Sequence, residues 1–454
     1  MTSQWRVAVV PVYLVLALLM GGASAAGILA NMLLQLLAIP IIAWALLTQR
    51  TTPMSRPSRQ MLVIALLLLL LLVVQMIPLP PAIWTIFRGR GEIVAGYEAL
   101  GIDLPWLPIS VVPNLTLAST LWLLPALAVL LGIVRIGAFR PLWIAVAIIG
   151  VTIAAIAWGA VQRSGNEAAY LYEITNYGFA TGFFSNANHL ATLLMVTIPF
   201  IAAVYLSARG KSRSAQRDSA LLVLLAGSAG VMIVGIAING SLAGLGLSVP
   251  VIAASGLMLL SRKRKLPAWI PLPLILLTLA GLFVIFSRPL GNNLTTDDAR
   301  ISPVSRYTSF SNTLHAASDF FPIGSGAGSF NTVYPMYEEP STMTTTYVNH
   351  AHSDILEIAL ETGLPGLLLL AAFLIWWIRR AVAIWRLPEP DEFARAATIA
   401  TAAIMAHSLV DYPLRTAAIS ATFAACCALM AEPRPYTARR AAEKVSKARH
   451  LSAD

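Results

Sequence analysis

"MLVIALLLLLLLVVQMI", residues 61–77, is an apolar run without a single charge. About 20 apolar residues wound as a helix cross the hydrocarbon core of a bilayer, where a helix satisfies its own backbone polar groups. Outward from this run, eleven more apolar segments follow the same pattern: 7–27, 29–48, 117–134, 142–161, 189–207, 220–239, 243–260, 268–287, 364–378, 396–410 and 416–431. Composition agrees, with 57% hydrophobic and 11% charged residues, where a soluble chain carries about 25% charged. The chain therefore reads as an all-α polytopic membrane protein with about twelve transmembrane helices. The first segment is too long, and too closely followed by the second, for a simple cleaved signal peptide.

With the N-terminus inside, alternation assigns each loop a side, and Lys and Arg collect on the cytoplasmic side of membrane proteins. The inner loops and tail then hold 24 of the 31 basic residues, including every lysine. The formal charge of +10 is thus mostly a topology signal. No basic soluble domain bearing aromatics is present, so nucleic acid is not an expected partner. Seven arginines remain outside: Arg88, Arg90, Arg163, Arg288, Arg300, Arg306 and Arg415. With them are 14 of 21 acidic residues and His189, His315, His350 and His352. Any chemistry is expected at the outer face.

The organisation follows. Residues 1–287 carry helices one to nine, with outer loops 78–116 and 162–188. Residues 288–363 form a large, partly helical outer loop. Residues 364–432 carry the last three helices, and 433–454 a basic inner tail. Cys426 and Cys427 are adjacent and cannot form an ordinary bridge with each other; they read as small residues facing lipid or core.

"NHAHSDILEIALETG" (349–363) gathers two histidines and three carboxylates. Ser353 suits an N-cap; Ile355, Ile358 and Ala359 share a face; Gly363 and Pro365 suit the end of a helix. A short amphipathic helix is expected here, just before the tenth span. "HAHSD" is similar to the His-x-His-x-Asp motif of metallohydrolases but lacks their following histidine, and no metal or other cofactor is expected. The plainest alternative is a cluster that only anchors the helix at the interface. His407, Asp411 and Arg415, four apart, would share a helix face but for Pro413. An ionisable group at span depth is a functional candidate by default. "GSGAGS" (324–329) lacks the Lys-Ser/Thr of a P-loop and reads as a tight turn that lets backbone approach substrate.

From His352 the run H-S-D-I-L-E-I-A-L-E-T-G-L-P-G resembles the signature of the O-antigen ligase and polysaccharide polymerase superfamily. His352, Leu356, Glu361, Gly363 and Gly366 fall on its pattern, and Ser353 stands where Asn is commoner. "RYTSFSNTLHAASDFFPIGSGAGSF" (306–330) resembles the loop before it through Arg306, Phe310, Pro322, Gly324 and Gly326. "TGFFSNANHLATLL" (181–194) and "HSLVDYPLRT" (407–416) are similar to further family segments. The family's Ser-Arg-Gly turn is altered: "NGSLAGLG" (239–246) has Leu242 at the arginine position.

The resemblance implies a metal-independent inverting glycosyltransferase of the membrane GT-C type, in the bacterial inner membrane with both termini cytoplasmic. The donor is a glycan on undecaprenyl diphosphate; the acceptor is a sugar hydroxyl on a lipid-A core or similar glycolipid. The active site would be periplasmic. A polysaccharide polymerase joining lipid-linked repeats would use the same residues. A flippase would want charges along a central path, and the spans are nearly charge-free. His352 is implied as the catalytic base, since histidine titrates near the working pH. Arg306, Arg300 and Arg415 are implied to bind the diphosphate, because guanidinium forks match phosphate oxygens. His350, Glu361, Asn188, His189 and Arg163 are expected in support, with a helix cap as the plain alternative for Asn188.

Overall fold

A computed structural model of the chain describes residues 4–24, 28–49, 53–137, 139–209, 215–260, 269–286, 306–340 and 348–432. Apolar runs and isolated turns dictate helix throughout; among the described residues no strand forms, and only Gly22–Phe184 and Leu79–Leu107 make isolated bridges. The helices are α1 (Gln4–Met20), α2 (Leu29–Leu47), α3 (Arg56–Val74), α4 (Pro81–Trp84), α5 (Gly91–Leu100), α6 (Pro113–Leu121) and α7 (Leu124–Leu131). They continue with α8 (Pro141–Arg163), α9 (Ala187–Ala208), α10 (Ala215–Asn239), α11 (Leu242–Leu260) and α12 (Pro271–Phe286). Last come α13 (Arg306–Phe320), α14 (Phe330–Val333), α15 (Asp354–Trp385), α16 (Glu392–His407) and α17 (Ala417–Ala431).

Each of the twelve apolar segments carries helix among the described residues, the first, 7–27, only as far as Met20. Eight helical stretches among the described residues are long and apolar enough to cross a membrane, α6 and α7 running together as one of them. Three more, in α1, α12 and α17, are apolar but shorter. The remaining segment lies in α16, which is 16 residues long and carries Glu392 and Arg395.

The core follows from residue size. α9 is the most enclosed span and packs against α8, α10, α11 and α16. α17, "AAISATFAACCALMA", is buried along nearly its whole length, because small side chains let helix backbones approach closely. Cys426 and Cys427 are buried free thiols in that core. By contrast, Leu66, Leu67, Leu70 and Val73 of α3 face outward, the side that lipid would cover.

Loop contacts sort the helix ends into two rims. At one, Ser55 donates to the Ala431 carbonyl at 2.9 Å and the Arg380 guanidinium to the Met430 carbonyl at 2.6 Å. At the other, Ala418 N–H donates to Gly21 O, Ser185 N–H to Gly22 O and Gln75 Nε2 to Glu361 O. The site lies at this second rim.

Candidate active site

The site is positioned by a break in α15. Pro365 has no N–H to give the Glu361 carbonyl, and Gly363 adopts φ 55°, ψ −147°, a conformation open only to glycine. The freed carbonyls find other donors. Glu361 O accepts from Gln75 Nε2 and from Gly326 N–H, both at 2.9 Å, and Leu360 O accepts from Ser325 N–H at 2.9 Å. Leu364 N–H turns to Pro322 O at 2.8 Å. The glycine run thus approaches the chain's own broken helix: a Cβ on Gly324 would stand 2.7 Å from Glu361 O. The close backbone approach expected of this run is thus made, in part, to α15.

The expected helix does begin at Asp354 with Ser353 at the N-cap position, although the Ser353 side chain makes no capping bond. Its carboxylates are not on a solvated face. Asp354, Glu357 and Glu361 are all buried and converge on Arg415: Nε lies 3.6 Å from Asp354 Oδ1, and Nη2 lies 3.1 Å from Glu357 Oε2 and 2.9 Å from Glu361 Oε2. Burial would lower the Arg415 pKa, but Glu357, Glu361 and Asp354 together hold it above the ordinary arginine value. Ser408 Oγ donates to Asp354 Oδ2 at 2.7 Å, tying the helix start to the turn after α16.

The histidines stand beside this clamp. His350 Nδ1 is 3.1 Å from both oxygens of Glu357, which also accepts the Ala351 N–H at 2.8 Å. His352 has φ 52°, uncommon for a residue with a side chain, and its ring turns toward Asp411. Nδ1 lies 3.6 Å from Asp411 Oδ1, longer than a hydrogen bond. The His352 side chain is 21% exposed and Asp411 is fully buried, so the pair has one open member. Asp411 Oδ1 accepts the Tyr412 N–H at 2.8 Å, and Oδ2 lies 4.0 Å from His407 Nε2. Burial would raise the Asp411 pKa; His352 beside it, then His189 and His407, hold it well below the usual carboxylate range.

His189 is buried at the start of α9, with neither ring nitrogen hydrogen-bonded within the protein. Tyr412 lies between the histidines, its ring centroid 5.1 Å from His189, 4.2 Å from His350 and 5.1 Å from His352. Asn188 is at the same mouth, but the α9 cap is Asn186, whose side chain accepts the Asn188 N–H at 2.8 Å. Asn188 Oδ1 instead accepts from Ser241 Oγ at 2.6 Å, the residue before Leu242. Arg163 is set apart, at the end of α8, donating to Gly178 O and covering the Phe179 ring. Arg306 opens α13, and Ser309, one turn on, donates to Ala351 O at 3.4 Å. The Arg306 side chain and all of Arg300 lie outside the described residues.

Of the residues singled out in the sequence, the structure brings His350, His352, Glu361, Asp411 and Arg415 together; Asp354, Glu357, Tyr412, Asn349 and Gln75 join them without having been singled out. Glu357 and Glu361 stand three and seven residues after Asp354 on one helix face, a spacing that sets like charges beside one another and so calls for a cation between them. Tyr412, Asn349 and Gln75 carry no such signal. Among the described residues, no group of three or more His, Cys, Asp or Glu side chains is arranged to hold a metal ion.

An all-helical polytopic membrane protein with a buried acid–base cluster at one rim is the class that fold and geometry define. Residues 227–371 match the family described as O-antigen ligase, a match that supports the resemblance to that superfamily. The matched segment runs from α10 to the middle of α15, and so contains His350, His352 and the three clamp carboxylates; His189, Asp411, Tyr412 and Arg415 lie outside it. No curated protein matches the chain. At a coarse level this match supports a glycosyltransferase-type enzyme of ligase or polymerase kind.

Proposed function

We propose that the protein transfers a glycan from undecaprenyl diphosphate to a sugar hydroxyl at the periplasmic face, with inversion and without a metal, and that His352 is the base. The observation that carries this reading is the pairing of a partly open histidine with a buried carboxylate, Asp411. Nδ1 faces Asp411, which leaves Nε2 for the acceptor. In the reaction the acceptor oxygen gives its proton to Nε2 as it bonds to the anomeric carbon. The bond from that carbon to the phosphate oxygen breaks, and the diphosphate leaves with the electron pair. Asp411 stabilises the imidazolium that forms, the electrostatic part of the base–carboxylate logic of catalytic triads.

The departing charge needs cations. Arg306 is the leading candidate, because the first turn of α13 touches the backbone beside His352; Arg300 is the second. Arg415 is already enclosed by three carboxylates, so its proposed role is to hold the His350–His352 segment against the turn after α16. A polymerase would run the same chemistry with a second lipid-linked repeat as acceptor.

The test uses purified protein with a lipid-diphosphate-linked glycan donor and a glycolipid acceptor. His352→Ala should cut transfer by about 10²–10⁴-fold, the usual worth of a general base, while the protein stays monodisperse in detergent. Transfer should persist in strong chelator. Full activity in His352→Ala would refute the assignment of the base, and loss of transfer on chelation would refute metal independence.

A further inference from the structure

Among the described residues no hydrogen bond fixes the His352 ring through Nδ1: that atom lacks a partner at bonding distance, and Asp411 stands off at 3.6 Å. Its orientation has to come from packing. The neighbour in place to supply it is Tyr412, whose ring meets the imidazole at 71° with centroids 5.1 Å apart, an edge-to-face geometry that aromatic rings prefer. The same ring lies against His350, tilted by 37°, and meets His189 at 83°. Its hydroxyl bridges Asn186, at the cap of α9, and Asn349, just before the histidine turn, at 3.3–3.4 Å. Its backbone N–H fixes Asp411 Oδ1. Tyr412 is 4% exposed. Burial, with Asp411 adding to it, keeps its phenol protonated well above the ordinary range, so the hydroxyl remains a donor.

We infer that Tyr412 is the positioning residue of this site, with its ring aiming the His352 imidazole at Asp411 and its hydroxyl joining the α9 cap to the histidine turn. This rests on the reading of His352 as base. The side chain and backbone have separable duties. Any substitution at 412 other than proline keeps the N–H on Asp411, so side-chain variants probe the ring alone. Tyr412→Phe keeps the ring and loses the hydroxyl bridge. Tyr412→Leu keeps apolar bulk and loses the flat edge against His352.

The experiment measures kcat, donor KM and the pH profile of purified, monodisperse Tyr412→Phe and Tyr412→Leu, with His352→Ala in parallel. Tyr412→Phe should lose about threefold or less in kcat. Tyr412→Leu should lose on the order of 10²-fold, the cost of misplacing a reacting group by about 1 Å, with donor KM nearly unchanged and the acid limb of the profile moved. If Tyr412→Leu cannot be purified folded, Tyr412→Met, which fills the space without a ring, takes its place. A folded Leu or Met variant with wild-type kcat and pH profile beside an inactive His352→Ala overturns the inference and leaves the base assignment standing. An active His352→Ala overturns both. Lowered thermal stability at unchanged kcat makes Tyr412 a packing residue only and also overturns it.

Discussion

Replacing Arg415 by methionine removes one cation from three buried carboxylates, and the cost can be worked from the distances. At an effective dielectric of about 20, unit charges near 3 Å attract by roughly 5 kcal/mol. Arg415 has two such contacts, at 2.9 and 3.1 Å, and a third at 3.6 Å. Desolvation of all four groups offsets most of that sum. What remains on deleting one partner of a buried ion pair is about 3–5 kcal/mol, because uncompensated charge is left behind. This is a large share of the ~5–15 kcal/mol that separates folded from unfolded chains. Glu361 offers the compensating change, since its Oε2 touches Arg415 and its Oε1 has no hydrogen-bond partner. Arg415→Met with Glu361→Gln should therefore be more stable than Arg415→Met alone, with a coupling of about 1–3 kcal/mol. A thiol-reactive dye reports the unfolding, because both cysteines of the chain, Cys426 and Cys427, are buried. Arg415→Met should lose several degrees in Tm, and the double variant should regain part of it. An unchanged Tm in Arg415→Met, or a double variant less stable than the single, would refute the clamp. A double variant that regains stability but shows a raised donor KM would restore Arg415 to the diphosphate site that the family resemblance implies.

Gln75→Leu should destabilise by about 1–3 kcal/mol in the same dye assay. The amide joins the broken helix to the glycine run through Glu361 O and the Ala327 N–H, at 2.9 and 3.0 Å, and the buried Ala327 N–H would be orphaned. Gly363→Ala should abolish accumulation of folded protein, read by size exclusion of detergent extracts. The backbone there is a glycine conformation, and a Cβ would stand 2.2 Å from Pro322 O; a monodisperse, active variant would show that the break can relax. Reporter fusions at Asn166 and Pro388 should read opposite sides of the membrane, with Pro388 cytoplasmic, because 24 of 31 basic residues fall on its side of the alternation. The same reading at both positions would refute the alternation.

What the sequence determined by itself is what depends on local composition and periodicity. Apolar runs near bilayer length force helices, since lipid offers the backbone no partners, and each of the twelve runs carries helix among the described residues. The break at Gly363 was legible for the same kind of reason: proline and glycine act on the bonds of their own turn. His352, Glu361 and Gly363 were legible because their spacing is carried within one short stretch. The tertiary structure alone decided which distant groups meet. Asp354, Glu357 and Glu361 read as a polar helix face until Arg415, brought back by the turn after α16, gave them a cation. The glycine run read as a tight turn for close backbone approach, and the fold directs part of that approach to carbonyls exposed by the break. Tyr412 gave no signal because an aromatic residue in an apolar protein is unremarkable by type. Its role comes from standing between histidines of two separate segments, and burial and charge pairing of that kind are properties of neighbours in space, which a linear pattern does not encode.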